Sequence, residues 1–327
     1  MTTLSDALPR PRPAMKYRPL GRTGLEVSVL SFGASSLGGV FRPVDEQEGI
    51  RAVHVALDLG INYFDVAPAY GGTRAETLLG RALRGVPRDA YYLSTKVGKH
   101  TSARGGYGDD RFDYSRAGIR SSLDDSARRL GVDYFDVVHL HDIEYQGRRH
   151  VEWALGEGLT ALQELRREGR LGAVSFGIHP IDLWRRVLAE CDIQAALVHN
   201  HYCLNDTRLL ELLPLVAAKG IGLINGSPFA SGLLTDRGPA DWHPASAEDR
   251  AVFRRAAEHC RRRGASISQL ALRFACQHPE IPTTLFSSAS PESVRRNVMW
   301  HGEPADPVLL SEVRAILRPV CDKEWGY

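Results

Sequence analysis

The stretch INYFDVAPAYG, Ile61 to Gly71, is the most informative segment of this chain. It starts with apolar and aromatic residues typical of a buried strand, and Asp65 then interrupts the run. Tyr70 follows five positions later, in a turn rich in proline and glycine. Because an unpaired carboxylate is costly to bury, the stretch predicts a cationic partner for Asp65.

Outward from this stretch, strand-like apolar runs alternate with segments of helical period. The other runs are VLSFGA, YYLSTKVG, FDVVHLHDI, GAVSFGIH, AALVHNHY, IGLINGSPF and PTTLFSSA. Helical segments between them include residues 46–59, 74–83, 115–130, 157–167, 206–219 and 267–277. Eight such strands predict an α/β fold, the parallel (β/α)8 TIM barrel. The alternative is an open doubly wound sheet, but SFGASSLGG lacks the G-x-G-x-x-G spacing of its dinucleotide turn.

The ends of the chain and its composition bound the remaining possibilities. Residues 1–14 carry alternating prolines and predict a flexible tail, and residues 15–327 predict one barrel domain that begins with a hairpin around Arg22–Gly24. A net charge of +2 without a concentrated basic face argues against nucleic acid. The five cysteines are widely spaced, so we expect free thiols and assign no metal site. We find no signal-like or membrane-spanning apolar run and expect a cytoplasmic protein; the oligomeric state is not predicted.

Ionisable residues close three successive strands, where barrel enzymes place their chemistry. Asp65 ends one strand, Lys96 the next and His141 the third, and Tyr70 stands beside them. Taken alone, an aspartate at a strand end is more commonly a turn or cap residue, a lysine there usually reaches solvent, and a tyrosine usually packs against its neighbours. Together they predict proton transfer by a phenol: Asp65 pairs with Lys96, the ammonium lowers the pKa of Tyr70, and His141 orients the reacting oxygen.

Three segments carry a resemblance to a known family: GINYFDVAPAYGGTRAETLLGRAL, LSTKVG and LGVDYFDVVHLHDIE. They resemble the aldo-keto reductase superfamily over nearly the whole chain from Lys16, and its catalytic tetrad falls on Asp65, Tyr70, Lys96 and His141. Within that superfamily, FGASSLGGVF, HLHDIEY and SGLLTDRGPADWHPAS are similar to aldose dehydrogenases of the L-galactose type.

The resemblance implies a nicotinamide cofactor extended across the barrel mouth. The implied contacts are Gly177, His179, Ser227, Phe229, Ser231, Gly232, Leu233, Ser287, Ser288, Ser293, Arg296 and Asn297. Two positions depart from the family pattern: Gly177 and Ile178 replace a Ser-Asn pair, and Gly226 replaces an aromatic residue. NADP-preferring relatives have cations where this chain has Ser287 and Ser293, so we expect NAD, with NADP possible if Arg296 turns inward.

The expected reaction is oxidation of the anomeric hydroxyl of an aldose to the aldonolactone. L-Galactose, L-fucose and D-arabinose types all fit the resemblance, and the predicted sugar contacts are Phe41, His100, Asp142 and Trp242. Reduction of aldehydes or ketones with NADPH and oxidation of a non-sugar alcohol are the nearest alternatives. A metal-dependent hydrolase using His139, His141, His199 and His201, and a non-catalytic nucleotide-binding protein, also stay open.

Overall fold

The computed structural model describes residues 14–101 and 110–325, so residues 1–13 of the predicted tail lie outside the described chain. Its first element is an antiparallel pair, β1 (Tyr17–Pro19) and β2 (Glu26–Ser28). The predicted N-terminal hairpin is therefore present. None of the helices in the described ranges combines the length and apolar character that spanning a membrane requires.

Eight parallel strands form a closed barrel, which confirms the predicted fold class. In chain order they are β3 (Leu30–Gly33), β4 (Tyr63–Asp65), β5 (Tyr92–Val97), β8 (Phe135–His141), β9 (Leu171–Ile178), β10 (Ala195–His199), β11 (Gly222–Gly226) and β12 (Thr283–Ser287). The last strand pairs with the first and closes the ring. A separate antiparallel pair, β6 (Lys99–Thr101) and β7 (Asp110–Phe112), was not predicted, because its segments KHT and DRF contain no apolar run.

Helices follow the barrel strands and cover them. They are α1 (Glu46–Asp58), α2 (Arg74–Leu83), α3 (Arg116–Leu130), α4 (Val151–Trp153), α5 (Leu159–Arg167), α6 (Ile181–Glu190), α7 (Leu213–Lys219), α8 (Ala247–Arg262), α9 (Ile267–Gln277), α10 (Pro291–His301) and α11 (Pro307–Leu317). A π-helical turn, Ala154–Gly158, joins α4 to α5. Side-chain caps fix several starts: Ser115 caps α3 and Ser290 caps α10 by accepting from backbone N–H groups.

The hairpin closes one end of the barrel. Leu20 and Val27 are fully buried and belong to the same apolar cluster as Tyr63 and Ala195, near the amino ends of their strands. Gly222 begins β11, and a Cβ there would lie 2.6 Å from Leu20 Cγ, so the hairpin and the strand approach each other as closely as glycine allows. The amino end of the barrel is thus packed with apolar side chains, and the polar chemistry lies at the carboxyl end.

Candidate active site

A cavity of about 830 Å³ lies at the carboxyl ends of the barrel strands. Most of the side chains predicted to act in catalysis or binding line it. They are Asp65, Tyr70, Lys96, His141, Gly177, Ser227, Phe229, Ser231, Gly232, Ser287, Ser288, Ser293, Arg296, Asn297, Phe41, Asp142 and Trp242. Residues separated by more than 200 positions are therefore brought to one wall, because parallel strands end at the same face of the barrel.

Asp65 and Lys96 form a buried ion pair at the base of the cavity. Lys96 Nζ lies 2.5 Å from Asp65 Oδ2 and donates to the Val66 carbonyl at 2.9 Å. The other carboxylate oxygen accepts from Ser94 Oγ at 2.7 Å and lies 3.5 Å from His139 Nε2. Burial alone would raise the pKa of Asp65, but Lys96 and His139 hold it well below its usual range. The carboxylate is therefore ionised and keeps the ammonium oriented.

Tyr70 and His141 stand above this pair. Lys96 Nζ lies 4.9 Å from the centre of the Tyr70 ring, and the rings of Tyr70 and His141 meet edge to face with centroids 5.9 Å apart. The His141 backbone carbonyl accepts from Tyr114 Oη at 2.6 Å, which fixes the end of β8. Burial lowers the pKa of His141 to about 3, although Asp142 opposes the shift. The imidazole is thus neutral near neutral pH and suited to hydrogen bonding an uncharged oxygen.

Lys96 was predicted to lower the pKa of the Tyr70 phenol, but in the structure this pKa is raised. The pKa of Tyr70 is raised well above its usual range, first by burial and then by the carboxylates of Asp65 and Asp142, with Lys99 acting in the opposite direction. The positive charge of Lys96 is balanced by Asp65 at 2.5 Å, so little of it reaches the phenol. Tyr70 is consequently protonated in the cofactor-free protein.

Asp142 belongs to a second buried ion pair that the sequence did not suggest. Lys99 Nζ donates to Asp142 Oδ2 at 2.7 Å and lies 3.2 Å from Asp110 Oδ2. The same ammonium lies 3.9 Å from the centre of the Tyr145 ring. Asp142 Oδ1 is 3.6 Å from His141 Nε2, so this pair borders the predicted catalytic imidazole. The strand pair β6–β7 supplies two of these residues, which explains why the spacing along the chain gave no signal.

His139 is committed to the support of Asp65. Its Nδ1 lies 2.8 Å from Ser175 Oγ, and its Nε2 faces Asp65. A metal-dependent hydrolase would need His139 and His141 to bind the same metal ion. Within residues 14–101 and 110–325, the one group of three potential ligands close enough to share an ion includes neither histidine.

Small residues form the wall where the implied cofactor would lie. Ser287 Oγ accepts from the Ser36 backbone N–H at 2.8 Å, and this bond joins the end of β12 to the loop after β3. The amino end of α10 contributes Ser293 and Arg296, and Arg296 Nη2 donates to Ser293 Oγ at 3.1 Å. A helix amino end favours an anion because its first N–H groups are unpaired within the helix.

The loop after β11 is a tight turn that lines the cavity with small side chains. Ser227, Ala230, Ser231 and Gly232 have φ of 59°, 46°, 52° and 102°, respectively, and so adopt left-handed conformations. The N–H groups of Ala230 and Gly232 donate to the carbonyls of Ser227 at 2.9 Å and Phe229 at 3.0 Å, so they hold the turn. The small side chains of this loop and the cavity of about 830 Å³ leave room for a dinucleotide.

Three predicted contacts do not line the cavity. Leu233 is 1% exposed and belongs to the apolar core, and His100 lies on β6 away from the opening. His179 packs instead against His201 and His199, with ring centroids 4.3 and 5.2 Å away, respectively. His179 directly follows β9, as predicted, but its side chain turns toward the end of β10 rather than toward the cavity.

Several lining residues were not predicted from the sequence. His199 and Asn200 close β10, and Asp236 accepts from Ser266 Oγ at 2.5 Å across the cavity rim. A Cβ on Gly226 would come within 3.0 Å of His199 Cβ. His199 thus occupies the space beside the position where relatives carry an aromatic residue. Asn200 has a left-handed φ of 63°, a conformation that asparagine tolerates in turns. The asparagine in HNHY was therefore a local signal for a turn at the end of β10.

Comparison with known proteins agrees with this geometry. The model of the aldo/keto reductase family matches residues 29–314. L-Galactose dehydrogenase of Arabidopsis thaliana is 40% identical over 95% of this chain and 97% of its own length, and pyridoxal 4-dehydrogenase of Microbacterium luteolum is 34% identical over 88% and 93%, respectively. The solved holo form of an aldo-keto reductase from Bacillus halodurans superposes with a TM-score of 0.75 at 27% identity, covering 95% of this chain and 97% of that one. The chain therefore belongs to the aldo/keto reductase family of NAD(P)-dependent oxidoreductases.

Proposed function

We propose that this protein is an NAD-dependent aldose 1-dehydrogenase that oxidises L-galactose, or an aldose of similar configuration, to its aldonolactone. The reaction class rests on Tyr70 and His141 above the buried pair of Asp65 and Lys96. The substrate class rests on the 40% identity with L-galactose dehydrogenase of Arabidopsis thaliana over 95% of the chain.

Tyr70 is the base in the proposed mechanism. The phenol first loses its own proton to solvent, and the resulting phenolate takes the proton of the anomeric hydroxyl while the neutral imidazole of His141 holds the same oxygen by a hydrogen bond. NAD, when bound, supplies the hydride acceptor for C1 and a positive charge. Because burial and two carboxylates raise the pKa of Tyr70, the phenolate needs cationic compensation. Lys99 lowers this pKa, and Lys96 Nζ lies 4.9 Å from the centre of the ring.

The sugar is proposed to lie between the predicted catalytic side chains and an aromatic rim. Phe41 and Trp242 form this rim, with ring centroids 5.9 Å apart, and Trp242 Nε1 donates to the Val40 carbonyl at 2.9 Å. Asp142, held by Lys99, offers a carboxylate to the sugar hydroxyl groups. A rim of rings and a fixed acceptor suit a polar ring with apolar faces.

The preference for NAD rests on the side chains at the adenosine end. Ser287 is engaged by Ser36, and Ser293 accepts from Arg296, so the serines supply neutral groups. Arg296 is also 3.6 Å from Glu292 Oε1, which partly balances its charge. A 2′-phosphate prefers charge-assisted partners, whereas a ribose hydroxyl does not need them.

A coupled substrate and cofactor screen tests the proposal. Purified protein receives NAD or NADP with L-galactose, L-fucose, D-arabinose and their stereoisomers, and the absorbance of reduced nicotinamide is followed. Reduction of NAD by L-galactose or a near stereoisomer, lost in Tyr70→Phe, supports the proposal. Reduction of the cofactor by none of the sugars, or full turnover by Tyr70→Phe, refutes it.

Carbonyl reduction is the second candidate, and one observation favours it. The pKa of Tyr70 is raised, so the phenol is ready to donate a proton to a carbonyl oxygen. The same screen therefore includes aldehydes with NADPH, and pyridoxal with NAD because a 34% identical relative is a pyridoxal 4-dehydrogenase. Faster turnover of an aldehyde with NADPH than of any sugar would assign this second function.

A further inference from the structure

A group of metal-ligating side chains lies outside the cavity that holds the predicted tetrad. His179 follows β9, His201 follows β10, and Glu324 belongs to the segment after α11. Their candidate ligand atoms all lie within 4.8 Å of one another, and within the described residues no other three such side chains come as close. Because the three come from distant parts of the chain, their spacing gives no motif.

His201 supplies the feature that points to a ligand. It is 0% exposed, and its Nδ1 lies 3.0 Å from Asp206 Oδ2. Its Nε2 is buried and has no hydrogen-bond partner among the residues that the structure describes. A buried polar atom without a partner is unfavourable, and a carboxylate on the other ring nitrogen is the usual support of a metal-bound imidazole. The Nε2 atom is therefore available to a ligand.

The charges around the group favour a cation. Arg208 Nη2 donates to Asp206 Oδ2 at 2.6 Å and Arg208 Nη1 to Glu324 Oε1 at 2.9 Å. Two carboxylates thus share one guanidinium, and the local charge is negative. Since Arg208 holds Oε1, the second oxygen, Oε2, is the one that an ion would take from Glu324.

A small cavity adjoins one of the three residues. It has a volume of about 10 Å³ and is lined by His179, Asp206 and Lys323, among others, whereas His201 and Glu324 do not line it. The ammonium of Lys323 is directed to Asp249 Oδ1 at 2.7 Å, so it is already paired. About this volume accommodates one water-sized group.

We propose that His179, His201 and Glu324 bind one divalent ion of the zinc type. Two imidazole nitrogens and one carboxylate oxygen form a donor set that zinc takes readily, with water completing a four-coordinate site. The ion links the segment after α11 to the ends of β9 and β10. Its role is to anchor that segment, and the proposal does not depend on which substrate the cavity accepts.

Metal titration of the whole chain tests this site. Protein freed of metal by a chelator is titrated with Zn²⁺ by calorimetry and with Co²⁺ by visible absorption, which reports the ligand geometry. We expect one saturable site per chain and a higher Tm with Zn²⁺. Glu324→Gln removes an exposed ligand and should weaken binding about tenfold or more, and His201→Gln should weaken it further.

Asp322→Asn is the matched control. Asp322 lies in the same segment, 3.9 Å from Arg208, but is not one of the three ligands. Its variant should bind Zn²⁺ as the wild type does. A wild type without saturable binding overturns the proposal. Binding that survives Glu324→Gln and His201→Gln but is lost in His259→Gln also overturns it, because the surface pair of His259 and Glu312 would then be the site.

Discussion

Replacing Asp65 by asparagine removes the negative partner of the buried Lys96. Asp65 is 2% exposed and Lys96 1% exposed, so water cannot take the place of the carboxylate. The ammonium would keep its 2.9 Å bond to the Val66 carbonyl but lose the charge that faces it at 2.5 Å. Breaking a buried pair by removing one partner costs about 3–5 kcal/mol, and we expect a loss in this range for Asp65→Asn.

The pH dependence of this loss follows from the depressed pKa of Asp65. A carboxyl group whose folded pKa lies below its unfolded value, about 3.9, stabilises the fold fully above that value. The stabilisation is lost as the pH falls through the folded pKa. The difference in the free energy of unfolding between wild type and Asp65→Asn should therefore be constant near neutrality and should shrink below about pH 4.

Urea denaturation followed by circular dichroism measures the effect. Asp192→Asn is the control, because the pair of Asp192 and Arg22, 2.7 Å apart, has side chains 69% and 52% exposed and should cost no more than about 1 kcal/mol. Adding Lys96→Met to Asp65→Asn should recover at least about 1 kcal/mol by removing the unpaired charge. A loss for Asp65→Asn as small as that for Asp192→Asn, or no recovery in the double variant, would refute the reasoning.

Four further predictions concern the proposed chemistry and the barrel. Tyr70→Phe should lower kcat/KM by about 100-fold to 10,000-fold while NADH binding, followed by fluorescence, stays unchanged; equal loss of both would argue against a role in proton transfer. The kcat of sugar oxidation should rise from neutral to alkaline pH because the pKa of Tyr70 is raised. The pH–rate profile should show no titration of His141 near pH 6.5, because the pKa of this residue is about 3. A kcat that falls as the pH rises contradicts this. Arg296→Ala should lower kcat/KM with NADP about tenfold or more and leave NAD kinetics nearly unchanged. An equal loss with both cofactors would contradict a role of Arg296 at the 2′-phosphate. Gly21→Ala places a Cβ 2.3 Å from the Gly222 nitrogen, at a φ of +52°. It should lower the denaturation midpoint much more than Gly24→Ala, whose Cβ meets nothing within 4 Å. Equal midpoints for the two variants would show that the hairpin is not packed into the barrel end.

The barrel could be predicted because its signals are local and repeated. Arg74–Leu83 and Ile267–Gln277 were predicted with the bounds that the structure has, since their apolar residues recur with the helical period. The strand pair β6–β7 was not predicted because KHT and DRF contain no apolar run, and the π-helical turn before α5 was not predicted because five residues carry no measurable period. Polar residues at strand ends could also be read from the sequence, since a charge that interrupts a buried strand needs a partner.

The orientation of side chains was decided by tertiary packing. His179 was expected to face the cofactor, yet its ring packs on His199 and His201 because β9 and β10 lie side by side in the barrel. The pKa of Tyr70 was expected to be lowered, yet burial and the carboxylates raise it. Both outcomes depend on distances between residues that are far apart in the chain.

The number and order of the barrel strands, the family pattern and the four polar residues at the barrel mouth could all be predicted from the sequence. Those features follow from periodicity and from the chemistry of each residue, which the chain carries locally. The tertiary structure alone decided which charges are balanced, as in Lys99 with Asp142, and which buried atoms lack partners, as in His201 Nε2 among the described residues. Electrostatic energies depend on separation and burial in space, and neither quantity is encoded in the distance between two residues along the chain.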